Sequence, residues 1–259
     1  KMKEYILITG ASSGIGYHMA VQLAELKKDL ILVARSEDKL KKLASELIGI
    51  YGISVEYIVK DLSVVENAVA LYREVQDRNL LVTGLVNNAG VGTYGEFTKT
   101  SLEEELKMID LNISSLVALN KLFVKDMVAR KSGRIMNISS LMAFLPFPYY
   151  SVYSATKTFV LAFTETLASE LEGTGVVVTT LCPGPIDTGF YNEEMLQANM
   201  MKSNKPVKPE VVAKEGVKLL LHGKGKKIVG FMNWFLSNVP RVTPDFLMMK
   251  IKKNLAAKG

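Results

Sequence analysis

Tyr153 and Lys157 stand four positions apart at the start of a stretch that reads as a long helix. Four residues make about one helical turn, so both side chains project from the same face. An ammonium beside a phenol favours the phenolate, because an opposite charge stabilises the ionised form. A free Tyr titrates near 10, so one that exchanges protons near neutrality needs a shift of roughly 3 units, about 4 kcal/mol. Ser140 closes a preceding apolar run, Arg134-Ile-Met-Asn-Ile-Ser-Ser140, that reads as a strand. A hydroxyl at the carboxyl end of a strand, near a helix carrying a Tyr–Lys pair, suits polarising a carbonyl oxygen and moving a proton to it. A lone Tyr-x-x-x-Lys also occurs by chance on ordinary helices. It gains meaning only where the chain brings a hydride donor to the same place.

The first segment of the chain does so. Tyr5-Ile-Leu-Ile-Thr9 is a short β-rich run suited to a buried parallel strand, followed at once by Gly10-Ala-Ser-Ser-Gly14-Ile-Gly16 and a helical stretch to about Lys28. Strand, glycine-rich turn and helix make a phosphate-binding corner, since glycines allow close backbone approach and the helix N-terminus offers N–H groups. Leu30–Ala34 is the second strand, and Arg35 follows it where an NAD-preferring site would carry an acid. A guanidinium there suits a 2′-phosphate, so NADP(H) is expected in preference to NAD(H). The bland reading is an Arg pointing to solvent.

Further along, a helix covers about 37 to 51, and the strand Val55–Val59 delivers Asp61 to where an adenine ring should lie. Asp61, or equally Ser63, is otherwise a helix N-cap. Leu85-Val-Asn87-Asn88-Ala89-Gly90, with Gly92 and Gly95 behind it, can run flat against a ribose. Apolar periodicity from Ser101 to about Arg130 predicts a helix containing Asn112, whose amide needs partners if buried: it either bends the helix or holds a water. A helix over 151–172, a strand over 176–181 and the rigid loop Cys182-Pro-Gly-Pro-Ile-Asp-Thr188 come next. A helix near 209–222 and a last strand, Lys227–Gly230, complete an alternating pattern. That pattern predicts an α/β fold, a single doubly wound parallel sheet of about seven strands with helices on both faces, as one domain over 1–259.

Composition narrows the rest. The formal charge of +6 comes from lysines spread along the chain, which argues for a solvated surface and no nucleic-acid partner. One cysteine, Cys182, allows no internal disulfide, and His18 and His222 show no metal-ligand spacing. Asn112 and Asn137 each open an Asn-Ile-Ser tripeptide, a formal glycosylation acceptor that carries no weight in a cytoplasmic chain. With no leader or bilayer-length apolar run evident, a cytoplasmic location is expected. Residues 188 to 208, holding Met195, Met200 and Met201, suit a pliable lid, or equally a small core helix. In the tail, about 240 to 259, Leu247, Ile251 and Leu255 recur at helical spacing among Lys250, Lys252 and Lys253. Such a basic amphipathic segment packs on its own domain or a second subunit more often than on a membrane surface.

Taken together these segments closely resemble the short-chain dehydrogenase/reductase family. The resemblance rests on Thr9-Gly-Ala-Ser-Ser-Gly-Ile-Gly16, Asn87-Asn-Ala-Gly90, Asn112, Ser140, Tyr153-Ser-Ala-Thr-Lys157 and Pro183-Gly184, in the family's order. It implies a Rossmann-type fold and a tetrad of Asn112, Ser140, Tyr153 and Lys157. Tyr153 is then the general acid in reduction, Lys157 its pKa-lowering partner and ribose ligand, Ser140 a donor to the substrate oxygen, and Asn112 the holder of a relay water. It assigns cofactor contacts to Gly10, Ser12, Ser13, Gly14, Ile15 and Gly16, to Arg35 and Ser36, and to Asp61 and Leu62. Further contacts fall to Asn88, Ala89, Gly90, Tyr153, Lys157, Pro183, Gly184, Ile186 and Thr188. The chain ends its last strand Ile-Val-Gly-Phe-Met-Asn-Trp, unlike the Val-Asp-Gly-Gly-like ending common in the family's acyl-carrier-protein reductases.

The expectation is therefore an NADP(H)-dependent oxidoreductase interconverting a carbonyl and an alcohol. Phe144, Phe147, Tyr149 and Tyr150 would wall an apolar or amphipathic substrate. A 3-oxoacyl thioester reductase and a serine-like hydroxy-acid dehydrogenase stay open, as does a non-catalytic NADP(H)-binding sensor, which the complete tetrad disfavours. A homodimer through the helices of Asn112 and Tyr153, or a homotetramer, is expected.

Overall fold

The structure is a computed structural model that describes residues 3–187 and 205–256. The chain alternates β1 (Glu4–Thr9), α1 (Gly14–Glu25), β2 (Asp29–Ala34), α2 (Glu37–Tyr51), β3 (Val55–Val59), α3 (Glu66–Asp77) and β4 (Leu81–Asn87). Then come α4 (Leu102–Ile109), a π-helical turn (Asp110–Ser115), α5 (Leu116–Ala129), β5 (Gly133–Ile138), α6 (Ser151–Glu170) and β6 (Val176–Cys182). The chain closes with α7 (Pro209–His222), β7 (Gly225–Ile228), α8 (Phe231–Asn238) and α9 (Asp245–Ala256). The strands form a seven-stranded sheet in the order β3-β2-β1-β4-β5-β6-β7, and every pairing is parallel. The expected doubly wound architecture is present.

Strand periodicity explains why helices cover both faces. Ile6, Ile8, Leu30 and Leu32 pack with Met19, Leu23, Leu40 and Val217 of α1, α2 and α7. Their neighbours Tyr5, Leu7, Ile31 and Val33 pack with Leu71, Val75, Phe123 and Met127 of α3 and α5. Alternate residues thus feed opposite layers, as a strand's period of two requires. The sheet order reverses between β1 and β4, which opens a crevice at the carboxyl ends of the central strands, where ligands of such sheets bind.

Several local expectations are corrected. The helix predicted from Ser101 to Arg130 is interrupted by the π turn, because Asn112 bonds outside the helix. The last strand lies two residues earlier than predicted: Gly230 takes φ 92 and starts α8, so pairing ends at Cys182↔Ile228. Neither Asp61 nor Ser63 caps α3, whose N-cap is Val65. Ser140 lies beyond β5 and caps a short 3-10 turn, Leu141–Ala143. Of the expected lid, 188–204 lies outside the described residues, with Met195, Met200, Met201 and Thr188. What is described is Val207, bridged to Ile186 in parallel. No helix of the described residues is long and apolar enough to cross a membrane.

Candidate active site

The crevice begins at the β1–α1 corner. Gly10 takes φ 65, and a side chain there would press 2.8 Å from Nδ2 of Asn88. At Gly16 an added carbon would run into the Gly10 carbonyl and lie 2.5 Å from that same Nδ2. Glycine is therefore required where the first turn, the helix and the β4 loop converge. Asn88 closes the junction by donating to the carbonyls of Thr9 at 2.9 Å and Gly10 at 3.2 Å. The Thr9 hydroxyl accepts from the N–H groups of Asn88 and Ala89, both at 3.0 Å. Ser13, the N-cap of α1, makes no side-chain capping bond. Ser12, Gly14 and Ile15 are half-buried beside it.

Arg35 is exposed at the end of β2, and Ser36 is the N-cap residue of α2 but makes no side-chain capping bond. Asp61 faces this edge. Burial pushes its carboxyl up, but bonds from the Ser63 N–H and hydroxyl, with the charges of Arg35 and Lys107, hold it below the usual carboxylate range. Leu62 is placed differently from its neighbours: its side chain is buried in the core and its carbonyl accepts from the Ser115 hydroxyl at 2.6 Å.

Asn112, Tyr153 and Lys157 come together near the carboxyl ends of β4 and β5, and Ser140 lies just past β5. Lys157 donates from Nζ to the Ile138 carbonyl at 3.1 Å, and its Nζ lies 5.8 Å from the centre of the Tyr153 ring. A carbon added at Gly90 would sit 3.1 Å from Oδ1 of Asn112 and 3.3 Å from Nζ of Lys157, so both side chains face one point. Asn112 is fixed by three bonds: its Oδ1 accepts from the Val91 N–H at 3.1 Å, and its Nδ2 donates to the Val91 carbonyl at 2.9 Å and the Thr156 hydroxyl at 3.1 Å. The extra residue of the π turn lets Asn112 point into the crevice from within a helical run. Ser140 accepts from the Met142 N–H at 3.2 Å, which uses a lone pair and leaves its O–H to donate.

Burial lowers the Lys157 ammonium to about 8. Burial likewise pushes the neighbouring Cys182 thiol up to about 12, so it gives Lys157 no counter-charge at neutrality.

Around Tyr153 lies an apolar cluster of Tyr94, Met142, Leu145, Phe147, Tyr150 and Met248. Tyr94 stands 4.9 Å from Tyr150, ring centre to ring centre, and Tyr149 flanks Tyr94 at 5.7 Å. Phe144 does not join this wall. It packs with Ala143, Leu161 and Cys182, under Nζ of Lys226 at 5.5 Å, because the 3-10 turn points it the other way. Pro183 accepts from the Leu141 N–H at 2.7 Å, and Gly184 leaves room for the buried Asn233 of α8. Ile186 is buried in the core layer of α1 and α7.

Sequence reasoning passed over Thr156, Asn233 and Met248. Thr156 lies inside the Tyr153–Lys157 motif and was legible as a polar residue on a buried helix face. Asn233 and Met248 come from distant segments that carry no motif.

The family profile described as short chain dehydrogenase matches residues 4–199. A very-long-chain 3-oxoacyl-CoA reductase from Anas platyrhynchos is 31% identical over 263 positions, covering 98% of this chain and 81% of that protein. Human 17-beta-hydroxysteroid dehydrogenase type 3 is 33% identical over 193 positions, covering 73% of this chain and 61% of that one. Among solved structures, a short-chain dehydrogenase from Sphingobium yanoikuyae in complex with NADPH superimposes with a TM-score of 0.80 at 28% identity, covering 99% of this chain and 98% of the other. The chain belongs to the short-chain dehydrogenase family, oxidoreductases that act on CH–OH and C=O groups.

Proposed function

We propose that the protein is an NADP(H)-dependent reductase of an apolar or amphipathic ketone, with 3-oxoacyl thioesters the first class to try. The observation that carries this reading is the buried Lys157 ammonium, held by the Ile138 carbonyl at 3.1 Å with its Nζ 5.8 Å from the centre of the Tyr153 ring. The residues fit NADP(H): the Gly10 and Gly16 turn admits a pyrophosphate against α1, and the exposed Arg35 suits a 2′-phosphate. When bound, the cofactor supplies the hydride. The chain's own residues do the rest.

Ser140 and Tyr153 hydrogen-bond the substrate oxygen, and Tyr153 gives it a proton as negative charge develops there. Lys157 stabilises the phenolate left behind, and Asn112, pinned to Val91 and Thr156, orients the path by which that proton is replaced. The cluster of Tyr94, Met142, Phe147, Tyr150 and Met248 favours an apolar chain over a short hydroxy acid such as serine. The very-long-chain 3-oxoacyl-CoA reductase likeness points the same way.

The reading includes one catalytic unit over 1–259, and a cytoplasmic location, which a single buried, unpaired cysteine suits. It also includes a homodimer through α5 and α6, where Phe159 and Phe163 stack at 5.9 Å on α6 and Phe159 is exposed. Light scattering of the purified chain tests the dimer, and a monomeric mass removes it.

The activity test is NADPH consumption with 3-oxoacyl thioesters of increasing chain length, steroid ketones and short oxo acids, beside a Tyr153→Phe variant. Turnover that the variant abolishes, rising with chain length, is expected. NADPH binding without turnover on any of these would remove these substrate classes and leave either another class of carbonyl or the sensor reading.

A further inference from the structure

Helix α8 is inside out. Its buried residues are Asn233 and Ser237, while Phe231, Met232, Trp234 and Phe235 are exposed, Phe231 to 78%. Phe231, Trp234 and Phe235 recur at i, i+3 and i+4, so they form one outward stripe, with the Phe231 and Trp234 rings stacked at 5.9 Å. The eight residues of this helix include no charge. A helix in water normally turns such a stripe toward its core. Here the inward positions hold polar groups with work to do, since Asn233 donates to the Val229 carbonyl at 2.6 Å.

Helix α9 continues the pattern. Met248 and Leu255 point inward to the Tyr153 cluster, which also takes Val239 just beyond α8, so α9 and the segment after α8 pack on the same cluster. Its outward face carries Phe246 and Met249, each 71% exposed, and four residues beyond them Lys250 and Lys253. Large apolar side chains interleaved with lysines make an interfacial face, where the rings enter the acyl boundary and the ammonium groups stay at headgroup level.

Charge decides between a bilayer and a second copy. Residues 231–256 hold four basic residues and one acid, Asp245. Pairing this surface with itself would set lysine against lysine, whereas anionic headgroups neutralise them. We propose that the surface carried by α8 and α9 docks on an anionic lipid bilayer without crossing it. The inference does not depend on which substrate the site takes.

Trp234 is the chain's one tryptophan, so it reports on this surface alone. The protein is titrated with phosphatidylcholine vesicles, with and without phosphatidylglycerol, while its emission is followed. A blue shift with the anionic vesicles, quenching by brominated acyl chains and loss of binding at high salt are expected. Lys250→Gln with Lys253→Gln should weaken partitioning by about twenty-five-fold, roughly fivefold for each lysine. Phe231→Ser with Phe235→Ser should abolish it, with circular dichroism and NADPH binding unchanged. Absence of quenching by brominated lipid overturns the proposal. So does a blue shift that tracks protein concentration without vesicles alongside a dimer mass lost in the Phe231→Ser, Phe235→Ser protein, since the surface would then belong to a second copy.

Discussion

Thr156 links Asn112 to Tyr153: its hydroxyl accepts from Nδ2 of Asn112 at 3.1 Å and donates to the Tyr153 carbonyl at 2.8 Å. One side chain on α6 thus ties the π turn to the helix that carries the Tyr–Lys pair. Losing one partner from a buried bond costs about 1 to 2 kcal/mol. Thr156→Val should therefore lower kcat by roughly tenfold through misplaced Asn112, while KM for NADPH changes little. Thr156→Ser, which keeps the hydroxyl, should restore most of the rate. Equal losses in both variants would mean that the methyl group, and hence packing, is what matters.

Lys157 is a buried cation with a folded-state value of about 8 against 10.5 for the free side chain, lowered by desolvation. Below pH 8 both folded and unfolded chains carry the proton, and the desolvation penalty, about 3 kcal/mol for a shift of that size, is present in full. Between about 8 and 10.5 the unfolded chain binds more protons than the folded one, so this residue's penalty fades as pH rises. Lys157→Met should be inactive yet more stable to urea at pH 7, and the advantage should shrink toward pH 10. A stability difference that stays flat across that range would show that burial of the charge is not what Lys157 contributes.

Arg35 stands exposed at the end of β2, where its charge also holds the Asp61 carboxyl down. A charge-assisted bond to a 2′-phosphate is worth about 1.5 to 3 kcal/mol, or roughly ten- to a hundredfold. Arg35→Gln should raise KM for NADPH by that factor and leave KM for NADH nearly unchanged. Parallel changes for both cofactors would place Arg35 outside the 2′-phosphate site.

The order of strands and helices was legible because β1, β2 and β6 carry apolar runs and the turns after β1 and β4 carry glycines or amides. By contrast β7, Gly-Lys-Lys-Ile, has no such run, and its expected place falls two residues late. The tetrad positions were legible as motifs, and the structure brings Asn112, Tyr153 and Lys157 to one point. What the sequence hid depends on direction and on distance along the chain. Phe144 and Phe147 read alike as wall residues, yet the 3-10 turn between them and Ser140 sends them to different clusters. Leu62 follows Asp61 in sequence but turns into the core, as neighbours at a strand end do. The π turn at Asn112 leaves no pattern in apolar spacing, because one inserted residue shifts the helix phase only locally.

Asn233 reaches the Pro183–Gly184 loop from α8, across about fifty residues of sequence. A side chain at Gly184 would come within 2.5 Å of its Oδ1, and Asn233 is itself held by the Val229 carbonyl at 2.6 Å, so neither side can yield freely. Gly184→Ala should therefore push the loop toward the cofactor crevice, lowering stability by about 1 to 3 kcal/mol through overpacking and raising KM for NADPH. Asn233→Ala removes the clashing amide and, with it, the bond to the Val229 carbonyl. Combined in one protein, the two substitutions should be less harmful than their separate effects added, with a coupling of about 1 to 2 kcal/mol in urea unfolding. KM for NADPH should return toward wild type in the double variant. Simple additivity in both readouts would show that the loop is set by Pro183 and Pro185 alone, and that α8 has no part in shaping the crevice.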